Sequence, residues 1–170
     1  GARMDPRMLR RCEGYRAALR EEGLEAGHRE IMTSTPSSVS VGRDLCTRLL
    51  DDAPDTDAVF CANDDLALGA LFAAHARRLS APGEIGIVGF NDLEMMAAAV
   101  PSISSVQTRR YWMGALAIDM LLARMDGSGP VETSIDLGFE LVVRESSAAP
   151  AARAGVAGAP LGGTTGTSRR

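Results

Sequence analysis

An α/β fold built on a parallel sheet is what this sequence predicts, and three observations predict it. Two short apolar runs, Ala58-Val59-Phe60-Cys61-Ala62 and Ile85-Gly86-Ile87-Val88-Gly89-Phe90, have the length and bounds of buried strands. Segments of helical period lie between and around them, so that strand and helix alternate as in a sheet with helices on its faces. Each run leads directly into an Asn-Asp pair, Asn63-Asp64-Asp65 after the first and Asn91-Asp92 after the second. Ligands of open α/β sheets sit outside the carboxyl ends of the strands. Amide and carboxylate side chains placed there twice make a row of donors and acceptors suited to a small polyhydroxylated ligand, which is a binding site rather than a reaction centre.

The elements follow in order. A first helix is predicted over 6–22: Pro6 suits its first turn, Leu9, Tyr15, Ala18 and Leu19 supply apolar contacts, and Gly23 stops it. Ile31-Met32 marks a short strand, and the polar turn over 33–38 opens a helix carrying Val41, Leu45, Leu49 and Leu50 at helical spacing. After the loop around Pro54 comes the strand over 58–62, then a helix over 64–79 with Leu66, Leu68, Leu71 and Phe72. The turn over 80–84 leads to the strand over 85–90. Beyond Pro101 a strand over 103–107 feeds a helix over 108–126, which Asp126-Gly127-Ser128-Gly129-Pro130 breaks. Short strands over 131–137 and 139–144 finish the ordered part. The Ala-, Gly- and Thr-rich stretch 148–170 has no periodicity and reads as a disordered tail.

Composition narrows the functional classes. With 170 residues the chain has room for one domain with a real core but is short for two. Eighteen glycines and abundant alanine fit close helix–sheet packing, and a net charge of −4 gives no electrostatic footprint for nucleic acid. Cys12, Cys46 and Cys61 are odd in number and lack paired spacing, which fits reduced thiols and a cytoplasmic setting. No apolar run approaches a membrane span. His28 and His75 stand far apart without metal-ligand spacing, so no metal or other cofactor is expected. The nucleotide-binding and hydrolase motifs are also missing. Asp64, Asp65 and Asp92 could cluster as a magnesium site of a phosphatase, but that chemistry needs a lysine, and the chain contains none. No nucleophile–base pair is visible, and no catalytic residue is expected.

Several segments, in order, resemble one family. Arg11-Cys12-Glu13-Gly14-Tyr15 looks like its Arg-x-x-Gly-aromatic helix, and residues 58–69 like its strand-Asn-Asp-helix segment. The blocks IGIVGFND (85–92), PSISSV (101–106) and LVVRES (141–146) match its later parts. Each block is short; five in register over 1–147 identify the LacI/GalR transcriptional repressors, for which LVVRES is the usual ending, and the longer run GFELVVRESS (138–147) is similar to the gluconate-type members. The resemblance implies a doubly wound, periplasmic-binding-protein-like fold in which two subdomains close on a small sugar or sugar acid. It implies that 1–102 and 130–147 belong to the C-terminal subdomain and that 103–129 crosses into the N-terminal one. It also implies that the helix-turn-helix head and the first βα units lie outside this chain. Operator DNA is then read only by that absent head, the intact protein is a homodimer, and no membrane is involved.

By the same resemblance, Arg11, Asn63 and Asn91 fall on ligand-contacting positions. Arg11 is otherwise a surface helix residue; as a cleft residue its planar fork could hold a carboxylate or two adjacent hydroxyls. Asn63 and Asp64 are equally good helix N-caps, so spacing leaves capping and ligand contact open for both. Asn91 stands where the family commonly has Asp, which removes a negative charge from the pocket. Asp5 is a further cleft candidate. Ser37 occupies the place where many family members stack a sugar ring on an aromatic residue; without that platform, an extended acid such as gluconate suits the site better than a pyranose. Leu68, Met95, Met96 and Val100 fall on the family's dimer face, against the plainer reading that they are core. The competing functional class is a sugar-binding protein of a transport system. What precedes Gly1 in the reading frame, a helix-turn-helix or a secretion signal, separates the two.

Overall fold

A computed structural model describes residues 5–24, 30–128 and 134–148. The strands β1 (Ala58–Phe60), β2 (Gly86–Asn91), β3 (Ser104–Thr108) and β4 (Phe139–Val142) form one sheet in the order β1-β2-β3-β4. The first three are parallel, with Phe60 beside Val88 and Val88 beside Ser104. β4 runs antiparallel to β3, placing Val106 beside Leu141, so the sheet is mixed at this edge where a parallel one was expected. The helices are α1 (Pro6–Glu21), α2 (Val39–Asp52), α3 (Asp64–Ala76), the short α4 (Glu94–Ala98) and α5 (Arg110–Met125).

Three helices begin on side chains that satisfy their first free amides. Asp5 accepts from Arg7 N at 2.9 Å, Ser38 from Val41 N at 3.2 Å and Asn63 from Leu66 N at 3.0 Å. Each such cap is worth ~1 kcal/mol of helix stability. α3 is the centre of the core. Its Ala67, Ala70, Leu71, Ala73 and Ala74 are buried with Cys46 and Leu50 of α2, Ile85, Ile87 of β2, Met96 and Ile103. α2 and α3 approach so closely that only glycine fits at their contact. A Cβ on Gly42 would lie 2.5 Å from the Leu66 carbonyl oxygen, and one on Gly69 would lie 2.2 Å from that of Val39.

Several expectations change. Ile31 and Met32 join no strand of the sheet, and 134–137 form no strand; 131–133 and the tail beyond 148 lie outside the described residues. α4 follows a two-residue turn and was hidden inside a short apolar stretch. α1 and α5 have no buried residue. The LVVRES segment, which begins in β4, is instead well tied down. Ser146 accepts from Ile87 N at 2.9 Å through its carbonyl, and its hydroxyl donates to the Ile87 carbonyl. Glu145 accepts from Ser102 N at 2.8 Å. Among the described residues no helix is long and apolar enough to cross a membrane.

Candidate functional site

Arg11 reaches from α1 to the carboxyl ends of β1 and β2. Its Nη1 donates to the Ala62 carbonyl, just past β1, at 3.0 Å, and its guanidinium lies 3.9 Å above the centre of the Phe90 ring in β2. Ala62 and Phe90 are the residues immediately before Asn63 and Asn91. One guanidinium therefore sits against the two strand ends that carry the predicted amides. Burial pulls its pKa below the ordinary value, Arg7 adds to this and Asp5 opposes it. An arginine keeps its charge regardless. The arrangement is a cation held in place by a carbonyl and an aromatic face, both of which prefer it charged.

The two Asn-Asp pairs divide their labour. Asn63 caps α3 through Oδ1, so the capping role holds, and the cap does not use its amide nitrogen. Asp64 points inward: it is fully buried, accepting from the Ser105 hydroxyl at 2.7 Å and from Leu93 N at 2.6 Å. Its two oxygens are engaged beneath the surface, which corrects the expectation of a ligand contact there. Gly89 is required beside it, since a Cβ at that position would lie 2.4 Å from Asp64 Oδ1.

Asn91 ends β2 with φ 114° and Asp92 follows with φ 54°, both in the region that side-chain-bearing residues rarely adopt. Hydrogen bonds from neighbouring strands hold this turn. Asp92 N donates to the Ser105 hydroxyl at 3.1 Å, and the Asp92 carboxylate accepts from Gln107 Nε2 at 2.9 Å and Arg144 Nη1 at 2.7 Å. Phe90, Ser105, Gln107 and Arg144 are residues that sequence reasoning did not single out. Ser105 and Arg144 lie within the matched blocks PSISSV and LVVRES, but a block match carries no information on which side chain reaches which.

The remaining candidates are scattered. Asp5 caps α1 and pairs with Arg7 at 2.8 Å. That hydrogen-bonded pairing holds its carboxyl below the usual range. Asp5 therefore faces its own helix start, near enough to Arg11 to oppose the fall in that residue's pKa. Ser37 lies one residue before the α2 cap, in the turn leading into the helix. Of the dimer-face residues, Met96 is completely buried in the core and cannot reach a partner, a second correction. Leu68 and Met95 are half-buried, and Val100 is 82% exposed. Among the described residues no group of His, Cys, Asp or Glu side chains is placed to hold a metal.

A cavity of about 660 Å³ shares Arg11 and Ala62 with the strand-end site but extends away from its amides. It lies between α1, residues 30–33, α2 and β1, and touches Arg11 but neither Asn63 nor Asn91. Cys12, Cys46 and Cys61 all line it. Burial pushes the Cys46 thiol up to about 11 and raises that of Cys61 further, so both stay protonated.

Residues 1–147 match the family of periplasmic binding protein-like domains. The HTH-type transcriptional regulator GntR of Pseudomonas aeruginosa is 44% identical over 147 residues, covering 86% of this chain and 43% of that protein. GntR of Escherichia coli K12 is 36% identical over 141 residues, 83% of this chain and 42% of the relative. Among solved structures, the transcription regulator GntR from Chromobacterium violaceum superimposes with a TM-score of 0.83 at 41% identity, over 86% of this chain and 54% of that one. A CelR–cellobiose complex superimposes with a TM-score of 0.75 at 32% identity, over 82% and 42%. The chain thus spans less than half the length of the curated relatives it matches. A mixed sheet, paired amides at two strand ends and these similarities agree: the chain belongs to the periplasmic binding protein-like domains, in the form carried by LacI-family transcriptional regulators.

Proposed function

We propose that this chain is one wall of the effector cleft of a LacI-type repressor, and that the effector is a sugar acid of the gluconate kind. The observation that carries this reading is Arg11, held by the Ala62 carbonyl and the Phe90 ring beside Asn63 and Asn91. A fixed cation with neutral amides on both sides, and no carboxylate from Asp64 at the surface, suits a ligand with one carboxylate and a row of hydroxyls. Closure of a second subdomain over this wall would couple ligand to operator affinity, with a coupling of ~1–3 kcal/mol in typical cases. In the intact protein β3 (Ser104–Thr108) stays in this sheet, against the expected assignment of 103–129 to the other subdomain, while the second subdomain would receive α5, a dimer face would include Leu68, Met95 and Val100, and the operator would be read by a separate head. The setting is the cytoplasm.

The test is isothermal calorimetry on the protein that carries this chain together with what precedes it in the reading frame. D-gluconate is expected to bind more tightly than D-glucose. The reverse order removes the sugar-acid reading.

A further inference from the structure

We propose that Arg144, in the LVVRES segment near the end of the described chain, is a positioning residue for the turn that carries Asn91. It grips Asp92, and through Asp92 it sets the direction in which the Asn91 side chain leaves the sheet. Asn91 is ligand-facing only on the sugar-acid reading given above, so the ligand half of this role rests on that reading; the grip on the turn does not.

The Asp92 side chain is 7% exposed and that of Arg144 19%, so the pair is largely shielded from water. The same Arg144 Nη1 that donates to Asp92 at 2.7 Å also donates to the Ile103 carbonyl at 2.9 Å. That second bond ties the guanidinium to the start of β3 and keeps it from following Asp92 if the turn moves. Three further bonds hold the turn: Asp92 N to the Ser105 hydroxyl, Leu93 N to Asp64 Oδ2, and Arg110 Nη2 to the Asp92 carbonyl at 3.4 Å. All three act on the backbone after Asn91. Among the described residues only Arg144 and Gln107 act on the Asp92 side chain.

Two consecutive residues at φ 114° and 54° persist only where their surroundings over-determine them. Without Arg144 the Asp92 carboxylate would be a shielded charge left with one neutral donor, and it would move toward solvent. Rotation of Asp92 would relax Asn91 toward an ordinary φ and swing its Cβ with it. The segment that resembles a family signature thus acquires a mechanical role, bracing the strand-end site from 52 residues away in sequence.

The test uses hydrogen exchange on the whole protein, compared among wild type, Arg144→Gln, Arg144→Lys and Glu145→Gln. Glu145 holds Ser102 from the same segment without touching the turn, so Glu145→Gln reports loss of segment docking alone. Arg144→Gln is expected to speed exchange of the Asp92 and Leu93 amides by at least ~10-fold while the Ala70 and Leu71 amides of α3 keep their protection. Arg144→Lys, which keeps the charge, should fall between, and Glu145→Gln should leave the turn unchanged. Uniform acceleration of turn and helix, an unmoved turn in Arg144→Gln, or the same acceleration in Glu145→Gln would overturn the positioning role.

Calorimetry with D-gluconate is the second arm. If wild type binds it, Arg144→Gln should weaken binding ~10-fold, the scale of one lost charge-oriented hydrogen bond; unchanged binding beside a loosened turn overturns the link to the ligand. If wild type does not bind gluconate, the sugar-acid reading fails, and the exchange data still decide whether Arg144 holds the turn.

Discussion

The Asp64 carboxylate and the Ser105 hydroxyl meet at 2.7 Å where solvent does not reach, and the turn carrying Asn91 hangs from that pair. Asp64 accepts from Leu93 N with its other oxygen, and Ser105 accepts from Asp92 N. One buried pair thus joins the start of α3, the middle of the sheet and the turn after β2. A buried network of this kind is stabilising only while every member is satisfied.

Asp64→Ala should therefore destabilise the protein by about 2–4 kcal/mol, since it strips acceptors from a buried hydroxyl and a turn amide. Asp64→Asn keeps the shape but turns one acceptor into a donor facing a donor, and should lose a smaller part of the same amount. Denaturant unfolding of the whole protein measures both. A loss below ~1 kcal/mol in Asp64→Ala would show that the network is dispensable.

Much of this was legible in the residues, and the misses have identifiable causes. Apolar runs at 58–62 and 85–90 located β1 and β2, although β1, at the edge of the sheet, leaves Ala58 and Phe60 exposed where a buried strand was expected. The start of α3 was legible as a cap at Asn63 because capping is local chemistry, whereas Asp5, read as a cleft candidate, and Ser38 turn out to cap α1 and α2. Asp64 was misplaced because a carboxylate beside a strand end looks the same in sequence whether it turns out or in. What turns it inward is Ser105, 41 residues away, together with the gap left by Gly89. Met96 was misread for a similar reason: α4 is too short to show a period, so its buried side could not be distinguished from an exposed one. The expected strand at Ile31-Met32 rests on two residues, and the structure leaves them outside the sheet, lining a cavity.

Replacing Arg11 separates charge from packing at the candidate site. Arg11→Gln retains a donor for the Ala62 carbonyl but loses the cation over Phe90. Binding of D-gluconate should fall ~10- to 100-fold, the scale of a hydrogen bond to a charged group, while any binding of a neutral sugar should change much less. Titration calorimetry of both ligands against both proteins gives the ratio. Equal losses for acid and neutral ligand would mean that Arg11 shapes the wall without reading charge.

The cavity thiols give a pH dependence of defined sign. Burial raises the Cys46 pKa from its ordinary 9.0 to about 11, and raises that of Cys61 as well. A group whose pKa is raised by folding contributes fully below its unfolded pKa, and that contribution is lost as pH climbs toward the folded value. Stability should accordingly hold up to about pH 9 and then decline toward about pH 11 as the unfolded chain ionises thiols that the folded one keeps protonated. Denaturation midpoints across this window should fall less steeply in Cys46→Ala than in wild type. Identical slopes would assign the decline to other groups.

The apolar side chains of α5 supply the last expectation. Trp112, Met113, Ile118, Leu121, Leu122 and Met125 are all exposed, as are Phe139 and Leu141 of β4. So much exposed apolar surface is rare on a protein that works alone in water. Gly114 has no heavy atom within 4 Å of its Cβ position, so nothing described in the chain packs on the helix at that point. Residues 1–148 produced alone should therefore bind a hydrophobic dye and self-associate. Trp112, the single tryptophan and 62% exposed, should shift its emission to shorter wavelength as association buries it. Substituting Leu121 and Leu122 with Gln should reduce dye binding and association together without lowering the unfolding midpoint, because neither side chain belongs to the core. Light scattering, dye titration and tryptophan emission on one concentration series measure all of this. A monodisperse species that ignores the dye and keeps the emission of an exposed indole would mean that α5 folds against its own chain in solution.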